Sequence, residues 1–280
     1  MKTLEGSPIR YALILLFIAA SLRASAHTGH SIPTSNTGFT RTTGFTRTTN
    51  FTRTTANART TGHARSTARA RMFRAAIERN RALHVAIGIY EEMHLGSAGL
   101  NEEAFEYAYI GYDRLRRRHR LQKTTILSIC DFSQASSEQR LYVIDVPNKK
   151  LLYRTYVAHG VNSGGAYACS FSNRRNSYKS SLGFYVTRQT YFGDNGLSLR
   201  IQGMDRGFND MAGRRNIVIH GAPYVSTRIL QKYGVMGTTY GCPAIPDEMS
   251  SKIIPVIKQG TCFFIYYPSQ RYLERSSVLN

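Results

Sequence analysis

The sequence predicts a mainly β domain, a sandwich or partly closed barrel with short helices, preceded by an α-helical N-terminal segment. Three observations carry this. Seven short apolar or alternating runs succeed one another beyond Leu121, each bounded by turn residues. Helical spacing of apolar residues is concentrated ahead of Leu121, with only brief stretches between the later runs. The residues before Met72 are too polar and too repetitive to add to a core.

Residues 1–26 carry Lys2 and Arg10, an apolar run from Tyr11 to Leu22, then Ala24, Ser25 and Ala26. That is the layout of a secretory signal, with cleavage between Ala26 and His27. The apolar run is 12 residues long, short of the ~20 that cross a bilayer. An exported protein, soluble once processed, is expected.

Residues 27–71 are rich in Thr, Arg, Gly, Ala and Ser and contain three six-residue units, Gly38 to Thr43, Gly44 to Thr49 and Asn50 to Thr55. Units this short and polar bury nothing, so a disordered linker is expected. Between His27 and Arg81 ten arginines face one acid, Glu78, within a chain of net charge +20. Such a tether is attracted to an anionic cell-wall polymer or membrane surface. Nucleic acid is the rival polyanion; the export signal and the lack of a nucleic-acid-binding motif argue against it, and it is not an expected partner.

Residues 72–120 read as a helical segment. Phe73, Ala76, Ile77, Val85, Ile87, Ile89 and Met93 give a ragged helical spacing, enough for one or two helices. Asn101, Glu102 and Glu103 make a helix start, with Ala104, Phe105, Ala108, Tyr109, Tyr112 and Leu115 on one face. The basic run from Arg114 to Arg120 suits a helix C-terminus and reads as its solvated end.

Residues 121–268 form the expected catalytic-type β domain, with strands at 124–130, 140–146, 151–158, 182–187, 197–202, 216–220 and 261–267. Val146 to Lys150 supplies a hairpin turn between the second and third. Roughly 150 residues are enough for one buried core. Residues 269–280 read as a C-terminal tail.

The candidate site comes from two short segments. His220 closes the apolar β-branched run Asn216 to Ile219, and Cys242 stands between Gly241 and Pro243 in a tight turn. An ordinary thiol is only about 3% thiolate at neutral pH, so a working nucleophile needs a base or a positive field. His220 is the candidate base. Between them, Val225 to Tyr233 reads as a short helix ending at Gly234, which folds the chain back. Pro246, Asp247 and Glu248 read as a helix start whose dipole favours thiolate. Pro243 has no N–H, so the oxyanion donors left are the Gly241 and Cys242 amides or the Tyr240 hydroxyl.

Other groupings compete. His159 with Cys169 is a second thiol–imidazole pair. His159, Cys169, His220 and Cys242 include a zinc-type donor set, but without CxxC, HxxxH or HExxH spacing, so no metal site is expected. Asp194 with Asp205 or Asp210 is a poor pair for glycosidase chemistry. Cys130 and Cys262 sit in apolar strands and read as inert buried thiols. A non-catalytic wall-binding protein is the reading from another class, carried by the basic repeats.

The segments around His220–Gly221 and Thr239-Tyr240-Gly241-Cys242 resemble the His-Gly and Ser/Thr-x-Gly-Cys motifs of murein L,D-transpeptidases (YkuD-like), closest to the branch in which the cysteine lies in Gly-Cys-Pro-Ala, here Gly241 to Ala244. Stretches 104–108, 131–134, 140–145, 158–164, 171–173, 180–183 and 217–226 match the same branch in the same order, so the similarity runs from about Leu95 to Tyr267. The better-known members place His before Gly-Cys and Asn or Arg two residues after the cysteine; Tyr240 and Ala244 stand there instead.

The resemblance implies a β-sandwich domain and cysteine acyl transfer on peptidoglycan stem peptides in a bacterial periplasm or cell wall, forming 3-3 cross-links through a thioester, with no cofactor. With water as acceptor, the same site is an L,D-carboxypeptidase. It implies Cys242 as nucleophile, His220 as base and Gly221 offering its carbonyl to the imidazole. Thr239, Tyr240 and Gly241 support the oxyanion. The stretch Ser180 to Phe184 corresponds to one that contributes to the substrate groove in relatives, making Ser181 and Gly183 candidate lining residues, with Tyr185 and Arg200 beside them.

Overall fold

The computed structural model describes residues 57–280, with side chains from Arg69 onward. The expected signal segment and the repeat-bearing part of the linker lie outside the described residues.

Helix α1 spans Asn57–Glu92. It begins inside the segment read as linker, so the boundary expected at residue 72 is not a structural one. The apolar residues at its start do not form its packed face: Met72 is 75% exposed, Phe73 70% and Ile77 54%. The buried positions are Ala82, Ala86 and Ile89, four and then three residues apart on one stripe. Small alanines there allow α1 to approach α2, and Tyr90 packs on Phe105 with ring centroids 5.9 Å apart.

Helix α2, Glu102–Arg117, starts as its sequence demands. The Asn101 side chain accepts the Ala104 amide at 3.1 Å, and Glu102 and Glu103 occupy the positive end of the dipole. All six residues of the expected apolar face are buried. The basic run at its end is not simply solvated. Arg114 is buried and donates to the Val278 carbonyl at 2.9 Å and the Asn280 carbonyl at 2.8 Å. Arg116 pairs with Asp113, and Arg117 with Asp113 and Glu78. Arg114 thus ties α2 to the C-terminal residues, and Arg117 ties it to α1.

One sheet of eight strands follows, in the order β3-β2-β1-β8-β4-β5-β6-β7. The strands are β1 Ile126–Asp131, β2 Leu141–Asp145, β3 Lys150–Thr155, β4 Gly183–Gly193, β5 Gly196–Gly203, β6 Val218–Ala222, β7 Ala244–Pro246 and β8 Cys262–Tyr266. Pairings are antiparallel except β1 with β8 and β6 with β7. Every residue of β1 and β8 is buried; both faces of these central strands are covered, which is why they read as predominantly apolar, with Ser128 and Asp131 the polar exceptions in β1. The sheet curls until its two ends nearly meet: beyond β3, the Ala158 amide donates to the Ala244 carbonyl of β7 at 2.8 Å. The result is the mainly β, nearly closed barrel with short helices that the sequence predicts.

Seven strands were legible and β7 was not. It is three residues long and ends at a proline, which suits only a sheet edge. Strand β4 runs past the expected end at Thr187 because a register shift between Thr187 and Thr190 absorbs the polar Arg188 and Gln189.

Three short helices complete the fold: α3 Thr227–Tyr233, α4 Asp247–Ile257 and α5 Gln270–Arg275. The last corrects the expectation of a tail. Residues 269–280 are packed, with Tyr272 and Leu279 fully buried and Val278 3% exposed. They close on Asp205, a buried carboxylate that accepts the Phe184 amide at 2.9 Å, the Tyr272 hydroxyl at 3.0 Å, the Ser276 hydroxyl at 2.6 Å and the Val278 amide at 3.1 Å. Four donors replace the water a lone carboxylate would require.

Candidate functional site

The parallel pairing of β6 with β7 sets His220 opposite Ala244. Two residues earlier on each chain, Cys242 arrives beside Val218, whose amide donates to Sγ at 3.4 Å. The thiol points toward the Asn216 carbonyl at 3.7 Å. The β6 backbone thus holds the thiol two residues from the imidazole along the strand. Both line one open groove of about 630 Å³, together with Val161, Tyr224, Thr238, Thr239 and Tyr240. Asp194 and Asn195, the two-residue turn between β4 and β5, stand at its rim.

The connection between the two residues folds as its sequence indicates. Ser226 caps α3 by accepting the Ile229 amide at 3.4 Å, and Gly234 ends it at φ 73°. The cysteine turn is then built around Thr239. Its Oγ1 accepts the Gly241 amide at 2.9 Å and donates to the Cys242 carbonyl at 2.8 Å, while its backbone pairs with His159 and Val161. Gly241 has φ +119°, and a Cβ there would lie 2.7 Å from the Lys179 carbonyl. Only glycine fits.

His220 is 3% exposed. Its Nδ1 lies 2.8 Å from the Gly221 carbonyl; a carbonyl only accepts, so Nδ1 carries the hydrogen and Nε2 is left as a free base. Burial lowers the imidazole pKa, partly offset by the Gly221 carbonyl and by Asp247. Burial raises the Cys242 pKa, partly offset by the Val218 amide and the charge of Arg215. Both shifts favour a neutral thiol–imidazole pair at rest. The expectation that the helix after Pro246 favours thiolate is therefore corrected: the α4 start lies against Gly221, where a Cβ would meet Asp247 Oδ1 at 2.6 Å, and its acid acts on His220.

A second correction concerns the oxyanion donors. The Gly241 amide is taken by Thr239, leaving the Cys242 amide and the Tyr240 hydroxyl. Tyr240 is 75% exposed, with its ring against Tyr178 at a centroid distance of 4.8 Å.

Of the expected lining residues, none reaches the groove. Ser181 is 2% exposed and donates to the Ser172 carbonyl at 2.8 Å. Gly183 opens β4 against Asp205. Tyr185 is fully buried, its hydroxyl donating to the Ser181 carbonyl at 3.0 Å. The strand begins one residue after Leu182, and all three are buried in the interior. Arg200 is exposed and lies over the Tyr191 ring, 4.4 Å from its centroid; β5 carries it opposite Val218, outside the groove.

The rival pair does not assemble. His159 Nδ1 is 2.8 Å from the Arg140 guanidinium, which only donates, and Nε2 is 3.1 Å from the Gly164 carbonyl, which only accepts. Both ring nitrogens are used, while Cys169 Sγ faces the Ser163 carbonyl at 3.7 Å. Among the described residues no three His, Cys, Asp or Glu side chains converge as metal ligands. Asp194 stands at the groove and Asp205 is sealed under α5. All four cysteines are free thiols; Cys130 and Cys262 are buried, and β1–β8 register sets Cys262 opposite Leu127 rather than Cys130.

Sequence reasoning missed Arg215. It is half-buried and donates to the Ser172 carbonyl at 2.7 Å and the Lys179 carbonyl at 2.6 Å, fixing the 172–181 loop against the cysteine turn. The signal was the pair Arg214-Arg215 just before the β6 run.

The fold and groove define a protein of the buried-imidazole, free-thiol class, with the two groups presented by adjacent parallel strands at a sheet edge. Residues 97–266 match the family model of the L,D-transpeptidase catalytic domain. The chain belongs to that family. Among solved structures it is similar to an L,D-transpeptidase from Mycobacterium smegmatis (10% identity, 51% of this chain and 59% of that one, TM-score 0.32). Others are an L,D-transpeptidase from Xylanimonas cellulosilytica (13%, 50% and 60%, 0.30) and the helical cell shape determining protein Pgp2 from Campylobacter jejuni (13%, 52% and 49%, 0.32). The chain thus spans about three-fifths of their length or less. No curated protein sequence matches it.

Proposed function

We propose that this chain is a cysteine-dependent murein L,D-transpeptidase that forms 3-3 cross-links between peptidoglycan stem peptides. The observation that carries the reading is the groove that Cys242 and His220 share, with Nδ1 of the imidazole tied to Gly221 and Nε2 free.

The chemistry starts from the neutral pair. His220 Nε2 takes the thiol proton as Cys242 Sγ attacks the carbonyl joining the L-centre of a diamino acid to the terminal D-alanine. Charge developing on the carbonyl oxygen is met by the Cys242 amide and the Tyr240 hydroxyl; one such donor is worth ~3 kcal/mol. The imidazolium then returns the proton to the departing amine, D-alanine leaves, and a thioester remains. An amine of a neighbouring stem attacks the thioester, His220 accepts its proton, and the thiol is regenerated. The acyl bond's free energy is retained in the thioester, so no nucleotide is consumed. The groove is open, which gives an acceptor a path to the thioester; hydrolysis at the same intermediate is the L,D-carboxypeptidase alternative.

Export and attraction of the basic N-terminal segment to an anionic wall or membrane surface complete the proposal, both supported by sequence alone. Muropeptides incubated with the protein and analysed by mass spectrometry test it. Dimers lacking the terminal D-alanine are expected; tripeptide monomers indicate the carboxypeptidase. Products identical to those of a Cys242→Ala control refute both. A carbapenem adduct on Cys242 would report the nucleophile independently.

A further inference from the structure

Beyond Tyr240, on the side away from His220, lies a second and smaller basin of about 140 Å³, lined by Arg175, Tyr178, Arg214, Arg215, Asn216 and Tyr240, with Asn176 at its edge. Tyr240 borders both hollows, and its contact with Tyr178 makes the two rings a divider. Asn216 offers its carbonyl to the thiol. The basin is therefore the immediate neighbour of the nucleophile.

Its charge is uncompensated. Arg215 spends its donors on neutral oxygens, the Ser172 and Lys179 carbonyls and the Ser177 and Ser181 hydroxyls. Burial lowers its pKa, and the groups that raise it are Tyr185 and Cys242, with no carboxylate. Arg175 and Arg214 are exposed. The ion pairs among the described residues all involve α1 or α2 and none reaches this basin. A half-buried guanidinium without a counter-ion, flanked by two free ones, is unfavourable in the empty protein. An anion in the basin relieves it by charge, and the exposed guanidinium forks of Arg175 and Arg214 each match a carboxylate in two parallel hydrogen bonds. Arg215 is already held rigid, so its charge is fixed in place beside the basin.

We propose that Arg175, Arg214 and Arg215 form a carboxylate-recognition subsite, which holds an acidic group of the acyl-donor peptide across the Tyr178–Tyr240 divider while Cys242 reacts. The inference rests on the proposed transpeptidase reading, since that supplies a peptide with free carboxylates near the scissile bond. It makes the free acid a requirement of the donor, so amidation of the stem weakens binding.

The test compares two synthetic tetrapeptide stems ending in D-alanine, one with its internal carboxylates free and one with them amidated. Each is offered to the wild-type protein and to an Arg175→Gln/Arg214→Gln variant, substituted at exposed positions. Loss of one charge-assisted pair corresponds to about tenfold or more in affinity. Amidation should raise the wild-type KM by that factor, the variant should show the raised KM with both peptides, and the change should fall on KM rather than kcat. Equal KM for both peptides with wild-type protein, or a variant that still discriminates, overturns the subsite. If no protein turns over either peptide, the transpeptidase reading fails and calorimetry on Cys242→Ala decides the subsite. Tighter binding of the free acid supports it, and equal or absent binding refutes it.

Discussion

Acidification should destabilise this protein through His159, and the size of the effect follows from its surroundings. The imidazole is 1% exposed. Its burial, and then the neighbouring Arg140 charge, push its pKa from 6.5 down to about 4. The folded protein thus keeps the ring neutral, whereas the unfolded chain protonates it near 6.5. Between those values the unfolded state binds more protons, so stability is fully present above the unfolded pKa and is lost as pH falls toward the folded one. Integrated from pH 7 to pH 4, the loss is about 3 kcal/mol, on the order of 10 °C in Tm for a domain of this size. Other buried groups titrate as well, so the discriminating quantity is a difference. His159→Gln retains an acceptor for Arg140 and a donor for Gly164 without a titrating group. Thermal unfolding by circular dichroism from pH 7.5 to 4.5 should show a shallower decline in the variant. Parallel curves would refute the assignment of His159 as a neutral structural ring, and with it the argument that it is unavailable to Cys169.

Cys242→Ala should abolish formation of any acyl-enzyme while Cys169→Ala retains it, read by intact-protein mass after incubation with an acylating β-lactam; the reverse pattern would move the nucleophile. Because burial lowers the His220 pKa below its ordinary value and raises that of Cys242, kcat/KM should lose activity only as pH falls below about 6.5. An acid limb centred above pH 7 would contradict the neutral resting pair. Asp205→Ala leaves the Phe184 and Val278 amides and two hydroxyls without their acceptor, and should lower stability by about 3 kcal/mol or more in denaturant titration; an unchanged midpoint would show that water replaces the carboxylate.

Much of the fold was legible because its signals are local. The Asn101 cap and the apolar face from Ala104 to Leu115 name α2 residue by residue, and β1 and β8 are largely apolar because both faces are covered. Thiol and imidazole were legible for a similar reason: each stands in a short stretch whose glycine or proline neighbours restrict the backbone. What surrounds them was not. Whether Tyr185 faces a groove or the core depends on strand register, and register is fixed by partners distant in sequence. Donation of the Gly241 amide to Thr239 depends on a side-chain rotamer that no pattern encodes. Arg215 looked like half of a surface basic pair, and becomes a clamp only because the 172–181 loop folds over it. The tail was misread because its anchor, Asp205, lies far upstream.

The bridge from Ala158 to Ala244 has a kinetic consequence. Strand β7 and the nucleophile's turn before it are the last in the sheet, joined on one side to β6 and on the other by the bridges from Ala158 to Ala244 and from Gly160 to Thr239. Contacts between residues so remote along the chain form late, after the central strands have collapsed. The loop that bears the thiol would thus be the last piece to be clamped, taking its final set only as the cylinder zips shut.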